Sequence, residues 1–168
     1  ALVGVSHVDR VFAQEGASLA SHPLTGTWAA LTEGGVVPQI HGADGSFIAA
    51  FPPNYIDPMT GLTFQGSGLG RWEPTGEHSG RFTFLQALAT PDGAFLGSFQ
   101  LAAEIEVSED GQRWSGTTPP RAILRDATNA VVFDQVLPLP TPVTGVRIGT
   151  SIDSLILPEA TPVAVPES

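Results

Sequence analysis

The chain contains no cysteine, which excludes disulfides, thiolate metal sites and cysteine nucleophiles. Basic residues are scarce as well: 7 Lys+Arg stand against 17 Asp+Glu, a formal net charge of −10. Such a surface repels phosphate backbones and anionic bilayers, so nucleic acid is not expected as a partner. No apolar run reaches the ~20 residues of a membrane-spanning helix, so insertion into a membrane is not expected either. No amphipathic helical stripe exceeds about two turns. A Gly-x-Ser-x-Gly elbow and a phosphate loop are both missing. His7, His22, His41 and His78 are scattered, with none at a metal-ligand spacing from another His, Asp or Glu. No metal and no cofactor is expected, and no catalytic constellation is recognised.

What is present points to β-structure. The 168 residues suffice for one domain with a substantial core. Hydrophobic residues are 42% and charged residues 14%, and the 19 Gly and 15 Pro favour turns and strands over long helices. The stretch Phe95 to Val107 organises the rest. Its odd positions read Phe95, Gly97, Phe99, Leu101, Ala103, Ile105, Val107, and its even ones Leu96, Ser98, Gln100, Ala102, Glu104, Glu106. Period two with one dry face is the signature of a half-buried strand. At ~3.3 Å per residue it is long enough to coil around a barrel as its wall.

Taken in order, the chain offers eight strands at 24–32, 45–51, 63–72, 80–89, 94–107, 112–125, 130–137 and 143–149. Turns at Asp44-Gly45, Pro52-Pro53, Pro91-Asp92-Gly93, Glu109-Asp110-Gly111 and Thr128-Asn129 separate them. Val36 to His41 reads as a short extended piece broken by Pro38, and Asn54 to Leu62 as an irregular connection. Pro119-Pro120 reads as a break or bulge. Short connections imply antiparallel neighbours. The expected fold is all-β, an eight-stranded antiparallel up-and-down barrel, which leaves no exposed edges; a β-sandwich is the competing architecture.

Three regions follow. Residues 1–20 form an N-terminal arm or a signal-peptide remnant: Ala1 to Val8 is small and apolar, and Val11-Phe12-Ala13 precedes Gln14-Glu15 as a cleavage site would, although His7, Asp9 and Arg10 interrupt the run. Residues 21–149 form the barrel domain, and 150–168 a proline-rich C-terminal tail. The expected location is secreted or cell-envelope.

Gly26-Thr27-Trp28 on the first barrel strand resembles the Gly-x-Trp signature of lipocalins and the wider calycin group, which includes avidin-like proteins. In that group the tryptophan near the closed end of the barrel packs against a basic side chain from the last strand, and Arg147 matches that partner. The long alternating strands and acidic, glycine-rich turns are equally similar to allene oxide cyclase-like barrels. The resemblance implies that Arg147 stacks on Trp28 and caps carbonyls at the barrel floor.

Aromatics supply the candidate site. The expected ligand-binding residues are Phe47, Phe51, Tyr55, Phe64, Trp72, Phe82, Phe84, Gln86, Phe99 and Trp114, most of them at inward-facing positions. Gly66, Gly68 and Gly70 share the face of Phe64 and Trp72, and either open a cavity or relieve crowding against the neighbouring rings. Gln86 and Gln135 sit on apolar walls and must find partners. His41 is expected near the mouth, the one histidine kept as a ligand contact. Asp44, Asp92, Asp110 and Asp126 fall in turns, where a structural role suffices. The leading function is the binding of a small apolar molecule inside the barrel. One alternative is an enzyme that confines a reactive apolar substrate, with Tyr55, Trp72, Gln86 and His41 as the residues to mutate. Another is a structural or interaction module. A homo-oligomer is left open.

Overall fold

The structure, a computed structural model, describes residues 19–58, 60–138, 142–155 and 157. Residues 1–18 of the arm assigned to 1–20, and the tail from Pro158 onward, lie outside them.

Alternating sequence gives twelve strands: β1 (Gly26–Thr32), β2 (Gly35–His41), β3 (Ser46–Ala49), β4 (Asn54–Asp57), β5 (Gly61–Gln65), β6 (Gly68–Pro74), β7 (Ser79–Ala89), β8 (Phe95–Val107), β9 (Arg113–Gly116), β10 (Arg121–Asp126), β11 (Val131–Val136) and β12 (Thr144–Arg147). Eight of them close a ring in the order β1-β2-β3-β6-β7-β8-β9-β12 and back to β1, every neighbour antiparallel. The fold is a closed eight-stranded antiparallel barrel, not a sandwich. Two hairpins stand outside the ring. β4-β5 pairs with the end of β7 through Phe64↔Ala89 and Gln65↔Leu88, and β10-β11 lies along the first half of β8.

Turn chemistry explains how the meander reverses. Asp44 Oδ1 accepts from Ser46 N at 2.9 Å, Asp110 Oδ1 from Gln112 N at 3.0 Å, and Asp126 Oδ1 from Thr128 N at 2.8 Å. Short acidic side chains mimic a backbone turn in this way. Hydrogen bonds from neighbouring Ser and Thr, first in importance, hold the carboxyls of Asp44, Asp92, Asp110 and Asp126 below their ordinary range.

The membership of the ring differs from the sequence reading in four places, the first being that the second half of the strand expected at 112–125 is β10 and stands outside. β2 is a full ring strand despite Pro38. The proline lies one residue beyond the last β2–β3 register pair, Gln39↔Ala49, where only its carbonyl is called on, accepting from Ala50 N at 2.8 Å. β11, expected in the barrel, pairs only with β10 and stands outside. The stretch 63–72 is two strands, because the register with β7 slips by one residue between Gln65↔Leu88 and Leu69↔Leu85. A one-residue slip turns every side chain before it to the other face. Phe64 is accordingly 37% exposed, while Gly68 and Trp72 face the core. A similar irregularity between Leu88 and Ala89 turns Phe95 out of the β8 face, leaving it 55% exposed.

The inner wall carries one continuous core: Trp28 and Ala30 from β1, Phe47 from β3, Trp72 from β6, Phe82 and Phe84 from β7, Ile105 and Val107 from β8, and Trp114 from β9. Phe47 and Phe82 stack with centroids 4.4 Å apart at 12°. Outside, Ile40, Ile48, Leu69 and Leu85 are successive cross-strand neighbours over β2, β3, β6 and β7, exposed by 44%, 38%, 61% and 50%.

Candidate ligand cavity

The barrel has a sealed end and a wider one. At the sealed end Leu24, 1% exposed, plugs the ring beside Trp28, whose Nε1 donates to Leu24 O at 2.8 Å. Trp72 Nε1 donates to Gly42 O at 2.8 Å, and His22 stitches the same end, donating through Nε2 to Gly76 O at 2.9 Å and accepting at Nδ1 from Leu24 N at 3.1 Å. Arg147 closes it. The guanidinium carbon lies 4.1 Å from the centroid of Trp28, Nε donates to Gly111 O at 2.6 Å and Nη1 to Thr25 O at 3.1 Å, and Nη2 donates to Pro23 O. A planar cation with a flat apolar partner and three carbonyls suits a half-buried site. Gly26, at φ +138°, makes room: a Cβ there would stand 2.7 Å from Arg147 Nη1.

His41 belongs to this floor and not to the mouth. It pairs with Gly26 across the β1–β2 ladder, one step below the Trp28↔Gln39 pair. It is 1% exposed, with ring centroids 5.0 Å from Phe47, 5.8 Å from Trp72 and 6.0 Å from Phe82, and neither ring nitrogen has a hydrogen-bond partner. Burial first, then the charges of Arg147 and His22, lower its pKa to about 3.

Above the floor the ring encloses a cavity of about 290 Å³. Phe82, Phe84, Ile105, Trp114, Val37, Gln39, Leu101 and Ala103 wall it. Phe51, Thr32, Val143 and the Thr117–Pro120 bulge frame the wider end. That bulge arises because β9 and β10 are one strand interrupted at the paired prolines. Both pair with β8, but the register moves from Ile105↔Gly116 to Ala102↔Arg121 across them. The cavity is of the size and character of a small-molecule site, mostly apolar with a few polar groups. At ~30 Å³ per water-sized unit it holds a molecule of roughly ten non-hydrogen atoms.

Of the residues expected at the site, Phe51, Phe82, Phe84 and Trp114 meet around this cavity. Phe47 lies beneath it in the ring stack, and Phe99 packs behind it, its ring 6.2 Å from Phe84. Trp72 is in the floor. Gln86 is buried toward the wider end, donating through Nε2 to Gln65 Oε1 at 2.6 Å, with its own Oε1 unpartnered. Tyr55 and Phe64 stand on the outer hairpin, and Tyr55's hydroxyl is held above its ordinary pKa by partial burial and by Asp57. Gln135 is on β11, exposed and outside the ring. Gly68 and Gly70 hollow nothing out. A Cβ on Gly68 would lie 2.6 Å from the Phe84 ring, and one on Gly70 would lie 1.8 Å from Thr83 O, so the missing side chains admit Phe84 and the β7 backbone.

Val37, Gln39, Leu101, Ala103 and Ile105 also line the cavity but were not assigned to it from sequence. Gln39 was hidden by Pro38: once β2 is one strand, the alternation Val37, Gln39, His41 shows an inward face. A larger depression of about 790 Å³ runs along the outer wall past Arg71, Glu73, Arg81 and Arg121. It is open, and two of its cations are already paired, Arg81 with Glu73 and Arg121 with Asp134. Among the described residues no group of three or more His, Asp and Glu could hold a metal ion, and no helix is long and apolar enough to cross a membrane. Comparison of the chain with family models, curated proteins and solved structures finds no match.

Proposed function

We propose that this protein is a calycin-like carrier that holds one small apolar molecule inside its barrel. The observation that carries the reading is the cavity of about 290 Å³ between the ring stack and the Thr117–Pro120 rim, walled mainly by aromatic and aliphatic side chains. The Trp28–Arg147 contact supports the calycin resemblance. The enzyme reading finds less support. His41 and Trp72 touch at the floor, but Gln86 lies toward the other end and Tyr55 on the outer hairpin, so the four do not converge on one reacting centre. We also propose a secreted or envelope location, on the Ala1–Ala13 pattern, which lies outside the described residues.

The test is calorimetric titration with naphthalene, which matches the cavity in size. Saturable binding with one site is expected, and Ala103→Phe, which fills the cavity from β8, should abolish it while leaving the circular dichroism of the barrel intact. Absence of binding to the unmodified protein removes the carrier reading.

A second reading rests on the outer row Ile40, Ile48, Leu69 and Leu85. Contiguous apolar surface of this kind marks interaction sites. The occupant it proposes is a second copy of this chain. Sedimentation equilibrium would show a concentration-dependent dimer that Leu69→Glu dissociates, and a monomer at all concentrations rules it out.

A further inference from the structure

The connection between β3 and β4 reads Ala50-Phe51-Pro52-Pro53, and neither proline has an N–H to give to a ladder. Two attachments hold it. On one side of Phe51, Ala50 N donates to Pro38 O at 2.8 Å. On the other, Gln65 engages both proline carbonyls. Its Nε2 donates to Pro52 O at 2.7 Å and its backbone N to Pro53 O at 2.9 Å. Phe51 sits between these anchors. Among the described residues that frame the wider end of the cavity it alone is aromatic, and its ring lies 5.3 Å from that of Phe84, another wall. A residue before a proline is confined to extended backbone, so Phe51 and Pro52 form a stiff arm whose place follows from what holds it.

Gln65 is held in turn from the barrel wall. Gln86, on β7 and 4% exposed, donates through Nε2 to Gln65 Oε1 at 2.6 Å. The orientation of both amides is forced. A carbonyl only accepts, so Gln65 turns its N–H₂ to Pro52 and its oxygen to Gln86, which must donate. Gln86 Oε1 is then left without a donor. A buried amide that is half satisfied costs stability, and a leucine at 86 would strand nothing. What the glutamine contributes is its one bond, and that bond goes to Gln65. The relay therefore runs from the barrel wall through Gln65 to the carbonyl beside Phe51. Neither glutamine lines the cavity, so both act on it through Phe51.

We propose that Phe51 gates the cavity and that Gln65, set in place by Gln86, is the positioning residue that holds the gate shut. When Gln65 Nε2 releases Pro52 O, the arm is free to carry the Phe51 ring away from Phe84 and open the wider end. Remaking the bond closes the ring over the occupant. This rests on the carrier reading and adds to it the route by which the apolar molecule enters and leaves. It also gives the outer β4–β5 hairpin a role, since β5 is the strand that brings Gln65 to the mouth.

The experiment measures naphthalene exchange on the full chain by methyl NMR exchange spectroscopy, which gives association and dissociation rate constants separately. In the unmodified protein, association should lie at least tenfold below the diffusional ceiling of about 10⁸–10⁹ M⁻¹s⁻¹. Gln65→Ala should raise both rate constants about tenfold, the change that one or two lost hydrogen bonds support, and leave Kd within about threefold. It should also weaken the nuclear Overhauser contact between the Phe51 and Phe84 rings. Phe51→Ala should raise association at least as much, and Gln86→Leu should raise it too. A purely structural role for Gln65 would lower affinity without speeding association, and that result overturns the inference. Association at the ceiling in the unmodified protein means that nothing gates the mouth, and it overturns the inference without any variant, so misfolding of a substitution does not protect it. Unchanged association in Phe51→Ala removes the gate, and in Gln65→Ala the latch. If naphthalene does not bind at all, the carrier reading fails and the gate with it.

Discussion

Arg147 sits over Trp28, its guanidinium carbon 4.1 Å from the ring centroid, although 118 residues of sequence lie between the two and the backbones meet only because β1 and β12 pair at Trp28↔Arg147. The contact exists only in a closed ring. It joins the first and last strands, and through Thr25, Pro23 and Gly111 carbonyls it ties both to the floor.

Trp28→Ala should therefore cost roughly 3–5 kcal/mol in urea unfolding, in the range of other large core truncations. Arg147→Ala should cost less, and Arg147→Lys should not restore the loss, since an ammonium cannot stack or bond three carbonyls in one plane. The double mutant should be more stable than additivity predicts, because the partners touch. Additive effects would mean that the contact contributes no coupling.

Acid should weaken the fold through His41. Its folded-state pKa of about 3 lies below the ordinary 6.5, so the folded state prefers the neutral ring. Stability from this group is complete above pH 6.5 and drains as pH falls from there toward 3. At pH 5 the loss is about 2 kcal/mol, taking 1.36 kcal/mol per pH unit below 6.5. The turn carboxylates act in the same direction but below the ordinary carboxylate range, so the interval from pH 5 to 7 isolates the histidine. His41→Phe should flatten the stability profile there. An unchanged slope would place the titration elsewhere.

Much of this was legible beforehand, and the exceptions share a cause. The alternation in β7 and β8 and the turn aspartates can be read from periodicity and residue chemistry, because each is local, and the pair Trp28–Arg147 was implied by the resemblance to the calycin signature. What could not be read is where a ladder slips. Phe64 and Trp72 have the same parity, yet one faces out and the other in, because a register slip of one residue between Gln65 and Leu69 intervenes. Pro38 breaks local pattern without breaking β2, since its missing donor falls at the end of the β3 ladder. Gln39, a wall of the cavity, was lost with it. The site was half legible: the rings that line the cavity follow from alternation, while its floor and mouth depend on how far strands are staggered.

The Gly68–Phe84 approach predicts a dependence that a cavity-forming glycine would not have. Gly68→Ala places a methyl against the Phe84 ring and should cost on the order of 1–3 kcal/mol, as overpacking does. Combined with Phe84→Leu, part of that cost should disappear. A neutral Gly68→Ala would mean that the space beside the ring is open.

The central claim is that the barrel is hollow where its aromatic stack ends and that an apolar molecule enters there. Intermolecular nuclear Overhauser effects between naphthalene and methyl-labelled protein test it most directly. Cross-peaks are predicted to the methyls of Val37, Leu101 and Ile105, which line the cavity, and none to Ile40, Ile48, Leu69 and Leu85 on the outer wall. Cross-peaks confined to the outer four, or none at saturating naphthalene, would contradict it.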